Sequence, residues 1–95
     1  MAAYVIVICD KFTNKAEMEP YRQKAAPART PAMEFIAAGG HFEVIEGPPA
    51  EAVVMLRFPT MEDAKAWYYS PAYQASLPHR LAAGEFRCLF VEGAN

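Results

Sequence analysis

The chain has only two cysteines, Cys9 and Cys88. That is too few for a disulfide framework, and neither a CxxC pair nor a Cys/His spacing is present to hold a metal. Both sit among apolar residues in strand-like stretches, which reads as buried, reduced thiols. There is no basic run, and the net charge is −2. A nucleic-acid partner is therefore excluded, because phosphate binding needs a cationic footprint. No apolar stretch approaches the roughly 18 residues of a membrane span. The start of the chain runs straight into a strand pattern and lacks a leader's charged segment and cleavage site, so the expected location is cytoplasmic. No GxSxG, HExxH or Ser/His/Asp pattern occurs. Gly39-Gly40 follows a helix-like stretch, whereas a phosphate loop precedes one. Repeats, linkers and low-complexity segments are absent.

What is present fits one small globular domain, residues 1–95. A chain of this length buries roughly 60–70% of its unfolded surface, which leaves a thin core and a use for further burial in a dimer.

The most informative stretch is Val53 to Tyr73, VVMLRFPTMEDAKAWYYSPAY. Val53 to Phe58 alternates with period two and is rich in β-branched and aromatic residues, so it predicts a strand. Pro59 ends it, having no N–H for a ladder. Thr60 stands where an N-cap belongs, with Asp63 three residues on. Met61, Ala64, Trp67 and Tyr68 follow at helical spacing. Ser70-Pro71 starts another helix, with serine as cap and proline at the first helical position; Tyr73 and Leu77 form its buried face.

The segment LRFPTMEDAKAWYYSPAYQ resembles the strand–FPS–helix–SPEYQ segment of the domain-of-unknown-function 1330 family. AAYVIVICD at the start, AAGGHFEVIEG in the middle and FRCLFVEG at the end extend the resemblance over nearly the whole chain. It implies a ferredoxin-like α+β fold that dimerises through its sheets, as in the dimeric α+β-barrel superfamily. It brings no established activity.

Tyr4 to Asp10 is predicted as a central first strand, being apolar on both faces. Thr13 to Ala38 is predicted to be helical but broken. Its first piece would face the core with Met18, Tyr21 and Ala25. A second piece would start at Thr30-Pro31, bury Met33, Ile36 and Ala37, and end on Gly39 as a left-handed cap. The second strand is placed at Gly40 to Gly47 and the last at Phe86 to Val91. Pro78 is expected to kink or end the last helix. The order β-α-β-β-α-β favours a ferredoxin-like sandwich with helices on one face of a four-stranded antiparallel sheet.

Sorted by face, Val5, Val7, Cys9, Phe42, Val44, Val54, Leu56, Phe58, Phe86, Cys88 and Phe90 form an apolar side for the helices. The other side carries Tyr4, Ile6, Ile8, Asp10, His41, Glu43, Ile45, Val53, Met55, Arg57, Arg87, Leu89 and Val91. This second face is too apolar to stay in water, so it should cover itself with a second subunit or enclose a ligand. A hairpin centred near Pro49 sets His41 opposite Arg57 with Glu43 a diagonal step away, and Tyr4 at the same end.

Tyr4, His41, Glu43 and Arg57 would then unite an imidazole, the side chain that titrates nearest neutrality, with an anion-binding guanidinium. The same group reads equally as the charged seam of a dimer. Asp10 with Arg87 reads as a structural ion pair. His79 and Arg80 suit a solvated helix end, or His79 belongs to a lid over a pocket. Trp67 and Tyr68 read as core and Tyr69 as exposed; the aromatic group as a whole is an alternative platform for a planar substrate.

Two functions follow. One is a small cofactor-free enzyme, by likeness to antibiotic-biosynthesis-type monooxygenases and muconolactone-isomerase-like proteins. It would take a small hydrophobic or aromatic acid on the sheet face, with Arg57 holding the carboxylate, His41 moving a proton, and Ile6, Met55, Trp67 and Leu89 as walls. The other is a non-catalytic homodimeric module that binds a small molecule or simply assembles.

Overall fold

The structure is a computed structural model that describes residues 1–94. Four strands form one antiparallel sheet: β1 (Ala3–Phe12), β2 (Glu34–Ala38), β3 (Ala52–Phe58) and β4 (Gly84–Glu92), in the order β2-β3-β1-β4. Three helices, α1 (Met18–Ala25), α2 (Met61–Tyr68) and α3 (Pro71–Ala83), pack on one face. This is the expected ferredoxin-like α+β arrangement. No helix among the described residues is long and apolar enough to cross a membrane.

The stretch after β3 folds as its residues dictate. The Thr60 hydroxyl accepts a hydrogen bond from the Asp63 N–H at 3.1 Å, and the Ser70 hydroxyl accepts one from the Tyr73 N–H at 3.2 Å. Each thereby satisfies one of the orphan donors at a helix start. α3 runs on through Pro78 to Ala83, where a kink or an end was expected.

β1 sends Ala3, Val5, Val7 and Cys9 into the core, where they meet Leu56 and Phe58 of β3 and Ala64, Trp67 and Tyr73 of the helices. Trp67 lies 4.2 Å from Tyr73 and 5.6 Å from Phe58 between ring centroids. Tyr69 faces water, as its position predicts.

The middle of the chain departs from expectation. Residues 34–38 are not the second helical piece but β2, an edge strand paired with β3. Phe35 and Ile36 favour a strand, and a bulge between Phe35 and Ala37 breaks the alternation that would have revealed it. Met33 does pack on the core, but Ile36 is exposed. Gly39 has the positive φ expected of it, +82°, yet closes a strand instead of a helix. Residues 40–47 lie in no strand, so Phe42 and Val44 are not part of the sheet's inner face.

Candidate functional site

Helical spacing on α3 places Tyr73, Ser76 and Arg80 on one buried stripe. Arg80 is only 3% exposed, so its place at a solvated helix end is corrected. Its guanidinium lies over the Phe86 ring, 5.2 Å from the centroid. Its Nε has no hydrogen-bond partner, and no carboxylate among the described residues lies within ion-pair distance of it. A buried cation without a counter-charge is costly, several kcal/mol in effective terms.

Beside it, the Tyr73 hydroxyl shares a hydrogen bond of 2.9 Å with the Tyr21 hydroxyl of α1. Burial pushes the Tyr73 phenol well above its ordinary range, with the neighbouring Tyr21 adding to the rise and the Arg80 charge opposing it.

These groups line a cavity of about 310 Å³ between the sheet and the helices. β1 contributes Val7, Cys9 and Phe12; β3 contributes Ala52, Val54 and Leu56; Trp67 and Phe86 add aromatic wall. Arg22 and Arg29 join Arg80, and the lining contains no carboxylate and no imidazole. Arg22 is drawn to Glu19 at 3.6 Å, and Arg29 lies over the Phe35 ring. Desolvation raises the Cys9 thiol pKa, partly offset by a backbone hydrogen bond involving Lys11. The chemistry is therefore that of an apolar, cationic pocket suited to an anion with an aromatic or aliphatic body.

The residues singled out from sequence fall elsewhere, with one exception. Trp67 is in the cavity wall. Tyr4 was expected only at the same end of the open sheet face as Arg57, and the β1–β3 register makes the two direct partners. Arg57, however, pairs with Glu34 at 3.5 Å, and the β2–β3 register sets Glu34 opposite it, not His41. His41 and Glu43 hydrogen-bond to each other at 3.2 Å in an exposed segment. Ile6, Met55 and Leu89 occupy the face opposite Trp67, so they do not form one pocket with it. His79 Nδ1 lies 2.8 Å from Glu17, which ties the short helical turn Lys15–Glu17 to α3. Arg87 grips Asp10 through two hydrogen bonds, 2.9 and 3.0 Å, so that pair is structural as read.

The signal for Arg80 was available in the sequence. It stands seven residues after Tyr73, two helical turns along the same stripe.

The match to the Domain of unknown function (DUF1330) family extends over residues 2–94. The chain belongs to the DUF1330 family. No curated protein matches this DUF1330 chain. Among solved structures it is similar to the RPA0582 protein of unknown function from Rhodopseudomonas palustris (TM-score 0.73, 13% identity, covering 99% of this chain and 83% of that one). A dimeric ferredoxin-like protein of unknown function from Bacteroides fragilis superposes with TM-score 0.65 at 18% identity, over 97% and 96% of the two chains. SnoaB, a cofactor-independent oxygenase from Streptomyces nogalater, does so with TM-score 0.62 at 10% identity, over 99% and 93%. At these identities the likeness concerns the fold alone.

Proposed function

We propose that this DUF1330 protein is a homodimer that binds a small hydrophobic or aromatic acid in the cavity between sheet and helices, without a cofactor. The observation that carries this is the lining itself: three arginines, one of them buried and unpaired, and no carboxylate. A ligand carboxylate would supply the counter-charge that Arg80 lacks. The cavity is at the small end of the range for ligand pockets, about 300–1,000 Å³. Two reduced cysteines are in keeping with a cytoplasmic setting.

The dimer rests on surface. The chain exposes 6018 Å², against about 5,400 Å² for a typical monomer of its mass. Its thinnest dimension is 17 Å, a sheet with helices on one side only. Tyr4, Ile6, Ile8, Val53, Met55, Leu89 and Val91 lie on the uncovered face, the last two over 40% exposed. A second copy packed there would hide it.

Between catalysis and binding, the lining favours binding. Only the Tyr21 and Tyr73 hydroxyls and the Cys9 thiol can move a proton within it, and burial holds Tyr73 and Cys9 in their protonated forms near neutral pH. Likeness to an oxygenase keeps the enzyme reading as the alternative, by analogy of fold.

The test is a thermal-shift titration with naphthoate, benzoate and cyclohexanecarboxylate. A ligand of the native state must raise the melting temperature. The expected result is a rise with at least one acid and none with the matching amide, lost in Arg80→Met. Equal shifts with acid and amide, or binding retained in Arg80→Met, would overturn the reading.

A further inference from the structure

Residues 41–50 pose a question that the single chain does not answer. Their sequence alternates like a strand, with Phe42 and Val44 against His41, Glu43 and Ile45. Yet no backbone hydrogen bond to any described residue is made by this segment, which runs between Gly39 and the Glu51 N–H that donates to the Cys9 carbonyl. Backbone polar groups in a strand-like, apolar segment normally find partners. Here Ile45 is 85% exposed and Val44 43%, the former among the most exposed large apolar side chains of the protein. Gly39 and Gly47, with φ of +82° and +98°, bend the chain into and within this arm, a conformation that L side chains rarely adopt. Both feet of the arm stand in the cavity: Ala38 and Gly39 at one end, Ala52 at the other.

We propose that the arm formed by residues 41–50 docks on the sheet of a second copy of this chain, and that it thereby couples assembly to the wall of the acid-binding cavity. This rests on the dimer and cavity readings above. A second copy is the occupant that the surface fits. The uncovered sheet face offers an apolar strip of matching character, while the sheet's outer strands leave backbone groups free to pair with an added segment. The excess surface of the monomer is of the order of the roughly 800 Å² that each partner contributes to a stable interface. In a two-fold dimer the contact is reciprocal, so each copy's arm is held by the other. Holding the arm fixes Gly39 and Ala52, and with them that part of the cavity wall. Assembly and ligand must then strengthen each other by one common factor.

The variants are Ile45→Asp and Val44→Asp, with Ile45→Val as the conservative control. Neither residue belongs to the monomer's core, so both charged variants should fold, as near-ultraviolet circular dichroism of the Trp67–Tyr73 cluster will show. Sedimentation is read at a concentration where the wild type is a dimer. The aspartate variants are expected to sediment as monomers and the valine variant as a dimer. A second readout needs no ligand: alkylation of Cys9 in the cavity wall should be faster in the aspartate variants than in the wild type. Where naphthoate binds the wild type, its affinity should fall about tenfold in the monomers, within the usual span of coupling.

An Ile45→Asp protein that stays dimeric would overturn the proposal. So would a monomeric one whose Cys9 reacts at the wild-type rate. Arg80→Met separates the two readings: it should lose naphthoate and remain a dimer. If the wild type binds no acid, that reading alone fails, while sedimentation and Cys9 reactivity still decide the role of the arm.

Discussion

The hydroxyls of Tyr21 and Tyr73 meet at 2.9 Å across the gap between α1 and α3, beside the buried Arg80. The bond links α1 to α3, and burial, aided by Tyr21, raises the Tyr73 pKa. Replacing Tyr73 by Phe removes the bond but keeps the ring, so the expected cost at neutral pH is about 1 kcal/mol. The alkaline behaviour gives a sharper check. Because burial raises the folded-state pKa of Tyr73, the unfolded chain loses that proton first. The stabilisation is complete below about pH 10 and falls as pH rises beyond it, by up to about 1.4 kcal/mol per pH unit. Urea unfolding followed from pH 9 to 11 should show a steeper decline in the wild type than in Tyr73→Phe.

Arg80 makes the opposite forecast for stability. Methionine has a similar length and no charge to desolvate, and it can keep the contact with Phe86. Removing a buried charge that has no counter-ion relieves its desolvation cost, several kcal/mol in effective terms. Arg80→Met should therefore melt at or above the wild-type temperature without ligand, while Arg80→Ala, which leaves a cavity, should melt below it. A methionine variant that unfolds more easily would mean that the guanidinium holds the fold together.

The contrast between what could and could not be read from the sequence follows from how local each signal is. Thr60, Ser70 and Pro71 act within a few residues of themselves, so the two helix starts were legible. The alternation of Val5, Val7 and Cys9 against Tyr4, Ile6 and Ile8 is likewise local and gave β1 its correct faces. β2 was not legible, because five residues with a bulge show neither period and because Thr30-Pro31 imitates a helix start; the chain makes only a turn there. The pairing of Arg57 depends on which residues form β2, so an error in one carried into the other and put His41 where Glu34 stands. Arg80 was passed over because a charged residue near a helix end is usually solvated, and that expectation outweighed its place on the stripe of Tyr73, where it packs over Phe86. The nearness of Tyr4 to Arg57 follows from topology alone, with β1 beside β3 and antiparallel to it, and did not depend on β2.

Gly84 gives a prediction about β1. A Cβ built there would stand 2.2 Å from the Lys11 carbonyl oxygen and 3.0 Å from the Phe12 Cα, both backbone atoms that cannot swing away. Gly84 pairs with Phe12 at the end of the β1–β4 ladder, just beyond the register shift between Cys9 and Lys11. The glycine is required by space, since its backbone is extended and open to any residue. Gly84→Ala should therefore force the strands apart and destabilise the protein by about 3 kcal/mol, the upper part of the range for overpacking. Gly40→Ala, where nothing lies within 4 Å, should change the denaturation midpoint little.

The two thiols offer a way to locate a bound acid that does not depend on Arg80. Cys9 is 1% exposed and lines the cavity; Cys88, two residues off its register on the neighbouring strand, does not line it. Burial raises the pKa of both, so little thiolate is present near pH 8 and alkylation in the native state should be slow. Unfolding in urea should release both to the rate of a free thiol. An acid seated in the cavity would cover Cys9 and leave Cys88 as it was. Mass spectrometry of iodoacetamide-treated protein, with and without naphthoate, should then show protection at Cys9 only. Equal protection at both positions would mean that the acid stabilises the whole fold from another place, and the absence of protection at Cys9 would put the ligand outside this cavity.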